Sequence, residues 1–230
     1  MKIENHPLVS IIMIVKNGER FIRQAFESIL AQSYHPFEIL LVDGHSQDKT
    51  LEIASEFSPI HILQQQGIGA SDAYNNGIGA ANADFVAFLS HDDLWTPDKL
   101  TLQMNYLIEH PEIMFTNCHT TYFLEPGSGI PEGFRRQWLV GSHPARIMET
   151  LVARKTVFEE VGYFNNALRT AEDVDWYSRA ADMKIPSIML PEVLLNKRIH
   201  GANNSMEIEK NNQNLMLALR DAVKRKKGNL

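Results

Sequence analysis

Leu8-Val-Ser-Ile-Ile-Met-Ile-Val15 is an apolar run of strand length, rich in β-branched residues, and the pattern it begins decides the fold. Phe21, Ile22, Ala25, Phe26, Ile29 and Leu30 recur at helical spacing. A second apolar run, Phe37-Glu-Ile-Leu-Leu-Val-Asp43, repeats the first. Ser46 reads as the N-cap of a helix through Phe57, with Asp48 in its first turn. Ile60 to Leu63 is a short third strand, and Ser71 to Ala81 a helix that Gly77 and Gly79 weaken. Asp84 to Leu89 is a fourth strand, and Thr96-Pro97 starts a helix to about Glu109. Apolar strands alternating with helices predict an α/β fold: a mostly parallel sheet with helices on both faces.

In such sheets ligands bind beyond the carboxyl ends of the strands. That rule selects Val15-Lys16-Asn17, Asp43-Gly44-His45, Gln64-Gln65-Gln66 and Ser90-His91-Asp92-Asp93. The second half is less regular. Gly127, Gly129, Pro131 and Gly133 mark a loop. Short and long helices are expected over Thr156–Val161 and Glu172–Met183, strands over Ile185–Leu190 and Val193–Ile199, and a terminal helix over Met206–Lys227.

Bulk properties narrow the function. The chain has 230 residues, is 44% hydrophobic and carries a net charge of −6, which argues against a nucleic-acid partner held by a broad basic face. No apolar run approaches the roughly 20 residues that cross a bilayer. The first ten residues lack a signal-peptide pattern, so a cytoplasmic location is the expectation. The single cysteine, Cys118, reads as a buried thiol in a reducing compartment. Lys224, Arg225, Lys226 and Lys227 suit the end of a helix, and secondarily an anionic membrane surface.

Asp92 and Asp93 come directly after an apolar strand, and adjacent carboxylates repel unless neutralised. A hard divalent cation would do this, completing its shell from phosphate and water. The alternative is a strand-ending turn, where Asp is common. Asp43 carries the same two readings: a contact to a base or ribose, or a turn with Gly44. Glu172, Asp173 and Asp175 carry two readings: acidic residues favouring a helix N-terminus, or an Asp173 partly desolvated by Val174, Trp176 and Tyr177 and so able to take a proton from a hydroxyl, with Trp176 and Tyr177 otherwise core. His200 stands after a strand end, where most lone histidines are structural. Gly67-Ile-Gly69 and Gly77-Ile-Gly79 lack the third glycine of a dinucleotide fingerprint, and no P-loop is present. Asn203-Asn-Ser205 matches a glycosylation acceptor, which would need a secretory route.

These motifs, in this order, resemble family 2 glycosyltransferases over about Pro7 to Ser205. Val9 to Gly18 looks like the family's first strand and donor loop, which implicates Val15 and Asn17 in donor binding. Glu38 to Thr50 resembles the motif whose strand-end aspartate binds the nucleobase, here Asp43. Gly69 to Gly77 resembles a donor-side segment and nominates Asp72, with Asn76 behind it. Phe88-Leu-Ser-His-Asp-Asp-Leu-Trp95 resembles the metal motif, with Ser90 where many members carry a first aspartate. Val161-Gly-Tyr-Phe and Ala171-Glu-Asp-Val-Asp-Trp resemble the acceptor half, in which Asp173 would be the catalytic base. Arg198-Ile-His-Gly resembles a late motif whose histidine, here His200, approaches the diphosphate or metal.

The resemblance implies a GT-A fold: a Rossmann-like, mostly parallel sheet with helices on both faces. It spans residues 1–205 as one domain, with a nucleotide-sugar half (1–110), an acceptor half (111–205) and a terminal helix (206–230). It implies inverting transfer from a nucleotide diphosphate sugar, UDP-linked before others, with Mn²⁺ or Mg²⁺ on Asp92, Asp93 and His200. The acceptor would be a saccharide, lipid-linked sugar or peptide, in surface polysaccharide or glycolipid assembly. Trp138 is a candidate to stack on a sugar ring, or else packing. A sugar nucleotidyltransferase and a non-catalytic nucleotide-sugar binder are the competing classes. The first would release pyrophosphate; the second would bind without turnover.

Overall fold

A computed structural model of the chain describes residues 6–168, 170–201 and 208–228. Strands β1 (Val9–Val15), β2 (Phe37–Asp43), β3 (Ile60–Gln64) and β4 (Phe85–Ser90) are parallel, in the order β3-β2-β1-β4. Helices α1 (Ile22–Leu30), α2 (Thr50–Ser55) and α3 (Ala70–Ala80) connect them. Alternation along β1 separates two cores, because successive side chains leave opposite faces. Ile11 and Met13 pack with Ile22, Phe26 and Ile29 of α1 and with Leu100 and Met104 of α4 (Lys99–Glu109). Ile12 faces the other way, toward Tyr74 and Ile78 of α3 and the aromatic pair Phe158 and Trp176. Helices therefore cover both faces, as expected.

The second half extends the same sheet rather than starting a new one. β8 (Val152–Arg154) adds antiparallel to β4, and β6 (Phe115–Leu124) antiparallel to β8. β9 (Ser187–Ile199) runs parallel to β6, and β5 (Leu94–Trp95) pairs antiparallel with β9. β7 (His143–Pro144) pairs with β6 off the main path. α5 (Val157–Glu160), α6 (Glu172–Asp182) and α7 (Ile208–Gly228) complete the chain, α7 lying against α6. No described helix is long and apolar enough to cross a membrane.

Several boundaries differ from the sequence reading. α2 begins at Thr50, not Ser46: the Ser46 hydroxyl accepts the Asn17 N–H at 2.8 Å, and Asp48 accepts the Thr50 N–H at 3.0 Å instead. α4 begins at Lys99, two residues past Pro97. The two strands expected over 185–199 are one, because the register shifts twice opposite Cys118–Thr120 and absorbs first Pro191 and Glu192, then Leu194. β6 and β8 have no signature in the sequence pattern. β6 is laced with Thr116, Asn117 and Thr120, all buried, so no apolar alternation announces it. Asn203-Asn-Ser205 and the 205/206 boundary lie outside the described residues.

Candidate active site at the carboxyl edge of the sheet

The parallel register brings four strand ends together. Val15 stands opposite Asp43, Asp43 opposite Gln64, and Ile14 opposite Ser90. The loops beyond them are laced by hydrogen bonds. The Gly44 N–H donates to the Val15 carbonyl at 2.7 Å, and the Gln47 N–H to Asn17 Oδ1 at 2.8 Å. Asn17 holds a left-handed backbone, φ 54°, which Asn tolerates better than most residues. A Cβ on Gly18 would stand 2.6 Å from Val15 Cγ2 and 2.7 Å from His91, so this first loop is packed onto the turn that follows β4. Asp43 is buried and accepts from the Ser46 N–H at 3.1 Å and from Gln64 Nε2 at 3.2 Å. Ionised carboxylate oxygens each hold more than one acceptor site, so a base N–H can join this set.

Asp72 does a different job. Its carboxylate accepts the Gly67 N–H at 2.9 Å and Asn76 Nδ2 at 3.0 Å, fixing the loop between β3 and α3. Its neighbours on α3 reach the second half of the chain. Ser71 Oγ donates to the Leu168 carbonyl at 2.7 Å, and Asn75 Nδ2 to the Phe164 carbonyl at 2.9 Å. The segment resembling a donor motif thus also seats the approach to α6.

Asp92 and Asp93 part company at the end of β4. Asp93 is fully buried, and both its oxygens are taken: Oδ2 by Lys197 Nζ at 2.7 Å, Oδ1 by the Arg198 N–H at 2.8 Å. Burial pushes it up to about 7 against the pull of Lys197, with the Asp92 and Glu149 charges adding to the rise. In this structure the Asp93 carboxylate faces the Lys197 ammonium rather than the open edge, which leaves Asp92 the better placed of the two expected carboxylate ligands. Asp92 instead meets His200, with Nε2 and Oδ2 3.1 Å apart. Burial alone would raise Asp92, but the His200 hydrogen bond and the charges of His91 and Lys197 hold it below the usual carboxylate range. His200 is itself buried and leans on Phe21, ring centroids 4.7 Å apart.

Three residues not among the expected site residues hold this corner in place, and one of them, Arg198, opens the late motif. Glu149, in the 3₁₀ turn Met148–Thr150, accepts from Ser90 Oγ at 2.5 Å and stands 3.5 Å from Lys197 Nζ. Lys197 therefore lies between two carboxylates; burial would lower it, but Asp93 and Glu149 raise it well above the ordinary lysine value. Arg198 donates from Nε to the Asp92 carbonyl at 2.9 Å, pairs with Glu125, and is sandwiched between Phe21 and Phe123 at 4.7 and 4.8 Å. Lys197 and Arg198 are visible as charges in an apolar strand, a usable signal. Glu149 has none.

The α6 end of the site carries Glu172 and Asp173. Ala171 precedes them in a left-handed conformation, φ 62°. The helix terminus favours their ionised forms, but burial dominates. It pushes Glu172 up to about 8, with the Asp173 charge adding to it. Asp173 rises to about 6 by burial, eased by the Val174 N–H and raised again by Glu149. Asp173 also feels Lys197, which ties α6 electrostatically to the β4–β9 corner. Asp175 faces away, paired with Arg179 at 2.9 Å.

Among the described residues no group of three or more His, Cys, Asp or Glu side chains could hold a metal ion. Asp92 and His200 together offer two donors. They are in direct hydrogen-bond contact at 3.1 Å, which a bound cation would replace. A site with so few protein donors suits a cation that keeps positions for phosphate and water.

The architecture matches solved structures. A mannosyltransferase from Pyrobaculum calidifontis in complex with GDP-Man and Mn²⁺ superposes with TM-score 0.74 at 19% identity, over 96% of this chain and 65% of that one. S. aureus TarS 1-349 in complex with UDP-GlcNAc gives TM-score 0.72 at 18% identity, over 91% and 65%. Both place the chain in the GT-A fold. An uncharacterized glycosyltransferase of Rickettsia typhi is 30% identical over 216 residues, 86% of this chain and 66% of its own length. The chain thus spans less than two thirds of each of these three proteins. The profile of glycosyl transferase family 2 matches residues 10–164, and with more than half of its length inside that match the chain belongs to glycosyl transferase family 2.

Proposed function

We propose that the protein transfers a sugar from a nucleoside diphosphate sugar to an acceptor hydroxyl in one inverting displacement. One observation supports the reading: Asp43 and the Asp92–His200 pair lie at the carboxyl ends of β2 and β4, and Asp173 on α6 senses Lys197 and Glu149 beside that pair. Asp43 receives the nucleobase, with uridine the first candidate, inside the loop framework of Val15 and Asn17. Asp92 and His200 hold Mn²⁺ or Mg²⁺; a divalent ion there supplies positive charge to the departing diphosphate. Asp173 accepts the acceptor's hydroxyl proton while that oxygen forms its bond to the anomeric carbon. The bond from that carbon to the diphosphate oxygen breaks, and one attack from the opposite face inverts the centre. Asp72 fixes the loop at the donor's flank.

The acceptor is a saccharide, lipid-linked sugar or peptide in surface polysaccharide or glycolipid assembly, handled on the cytoplasmic side. α7 exposes Met216, Leu219 and Val223 beside Arg220 and Lys224, a face suited to an anionic membrane surface.

Thermal shift with UDP, GDP and their sugars, with and without Mn²⁺, tests the proposal. A ligand at 100 times its Kd adds about 2.7 kcal/mol of apparent stability. The expected result is stabilisation by a nucleoside diphosphate that needs Mn²⁺. Absence of any shift at millimolar nucleotide would refute it, and pyrophosphate release from a nucleoside triphosphate would transfer the protein to the nucleotidyltransferase class.

A further inference from the structure

Beside the β4–β9 corner lies a cluster of aromatic rings that the proposed chemistry does not use. Tyr122 on β6 stands opposite Lys197 on β9. Paired positions of neighbouring strands send their side chains to the same face of the sheet, and Lys197 faces Asp93 and Glu149. Tyr122 therefore shares the face of the reaction centre. Its hydroxyl is raised by burial, and it senses Lys197, Asp93 and Glu149. Around Tyr122 gather Trp138 at 5.4 Å, His143 at 5.8 Å and Phe134 at 6.0 Å between ring centroids.

The cluster is not closed. Trp138 is 39% exposed, whereas Trp95 is 3% and Trp176 0% exposed. A tryptophan placed only to pack would bury the 150–250 Å² that gives it its energetic value. Here the indole contacts Tyr122, Phe134 and His143 and still keeps more than a third of its surface in solvent. Its seat is firm. The Trp138 N–H donates to the Arg135 carbonyl at 2.9 Å, and the Trp138 carbonyl lies 3.1 Å from His143 Nε2. Exposed Arg135, Arg136 and Gln137 adjoin it, polar groups suited to hydroxyls.

We propose that the Tyr122–Phe134–Trp138–His143 cluster is an acceptor subsite in which a pyranose ring stacks on the Trp138 indole, so that the acceptor is a saccharide. A sugar's apolar C–H face carries partial positive charge and matches the electron-rich face of an aromatic ring, while its hydroxyls point outward to polar neighbours. A peptide acceptor has no comparable flat face. The inference rests on the transferase reading, because only that reading makes the β4–β9 corner a place where an acceptor arrives.

The test uses an array of defined oligosaccharides probed with the whole protein in UDP or GDP plus Mn²⁺, alongside W138A and W138F. Bound saccharides should shield the one exposed tryptophan from acrylamide quenching. W138A should weaken saccharide binding roughly tenfold or more and W138F much less, with the Mn²⁺-dependent nucleotide shift unchanged in both. Saccharide binding that W138A leaves intact would overturn the subsite. No saccharide binding with a normal nucleotide shift would overturn the saccharide acceptor and leave the transferase reading standing. Loss of the nucleotide shift in the wild-type protein would sink that reading and this inference with it.

Discussion

Replacing Asp93 and Asp92 in turn separates a structural carboxylate from a ligand-binding one. In D93A, Lys197 loses its 2.7 Å partner inside the protein, and Glu149 at 3.5 Å is all that faces it of the two carboxylates. Removing one member of a buried ion pair costs about 3–5 kcal/mol, because the other charge stays buried. With a urea slope of about 2–3 kcal/mol/M, the midpoint should fall by about 1–2.5 M. D92A removes a less buried carboxylate hydrogen-bonded to His200, a charge-assisted bond worth about 1.5–3 kcal/mol, so its midpoint should fall less than that of D93A. The nucleotide response should divide the other way. D92A should lose the Mn²⁺-dependent part of the UDP or GDP thermal shift; folded D93A should keep it. The double variant Asp93→Leu/Lys197→Met replaces the pair by apolar groups and should recover most of the lost stability. Urea denaturation and thermal shift on the same preparations read both quantities. A D93A protein with a wild-type urea midpoint and no Mn²⁺ response would refute the reasoning and return the metal to Asp93.

Other expectations are as direct. Asp173 must be ionised to act as a base, so kcat/KM should rise with pH through about 6, and D173N should lose that limb together with roughly 10²–10⁴ in rate. For stability the sign is opposite. Carboxyls raised in the folded state bind their protons more tightly folded than unfolded. The contribution of Asp173 and Glu172 is therefore full below about pH 4 and lost as pH rises through about 6 and about 8, which urea midpoints across pH 5–9 would show. G77A and G79A should diverge: a methyl on Gly77 runs into Ile12, costing about 1–3 kcal/mol, whereas Gly79 has nothing within 4 Å and should gain up to ~1 kcal/mol by thermal melt. D43A should weaken nucleoside diphosphate affinity roughly ten- to hundredfold by calorimetry, and an unchanged Kd would remove Asp43 from the base pocket.

The sequence alone determined the first half of the fold. Strands β1, β2 and β4 are largely buried on both faces and read as near-continuous apolar runs, and parallel strands must place all their carboxyl ends at one edge. Val15, Asn17, Asp43 and Ser90–Asp93 were legible for that reason. Tertiary structure decided the rest. β6 buries Thr116, Asn117 and Thr120, which pair with neighbours that no local pattern reveals. Nothing in Asp92-Asp93 says which carboxylate faces out; β9 decides it by bringing Lys197 and Arg198 against Asp93 from more than a hundred residues away. Glu149 has no motif and acts only because a short 3₁₀ turn sets it between Ser90 and Lys197. Local sequence encodes periodicity and turn chemistry, whereas the ionisation and direction of a buried carboxylate are set by whatever the fold places beside it.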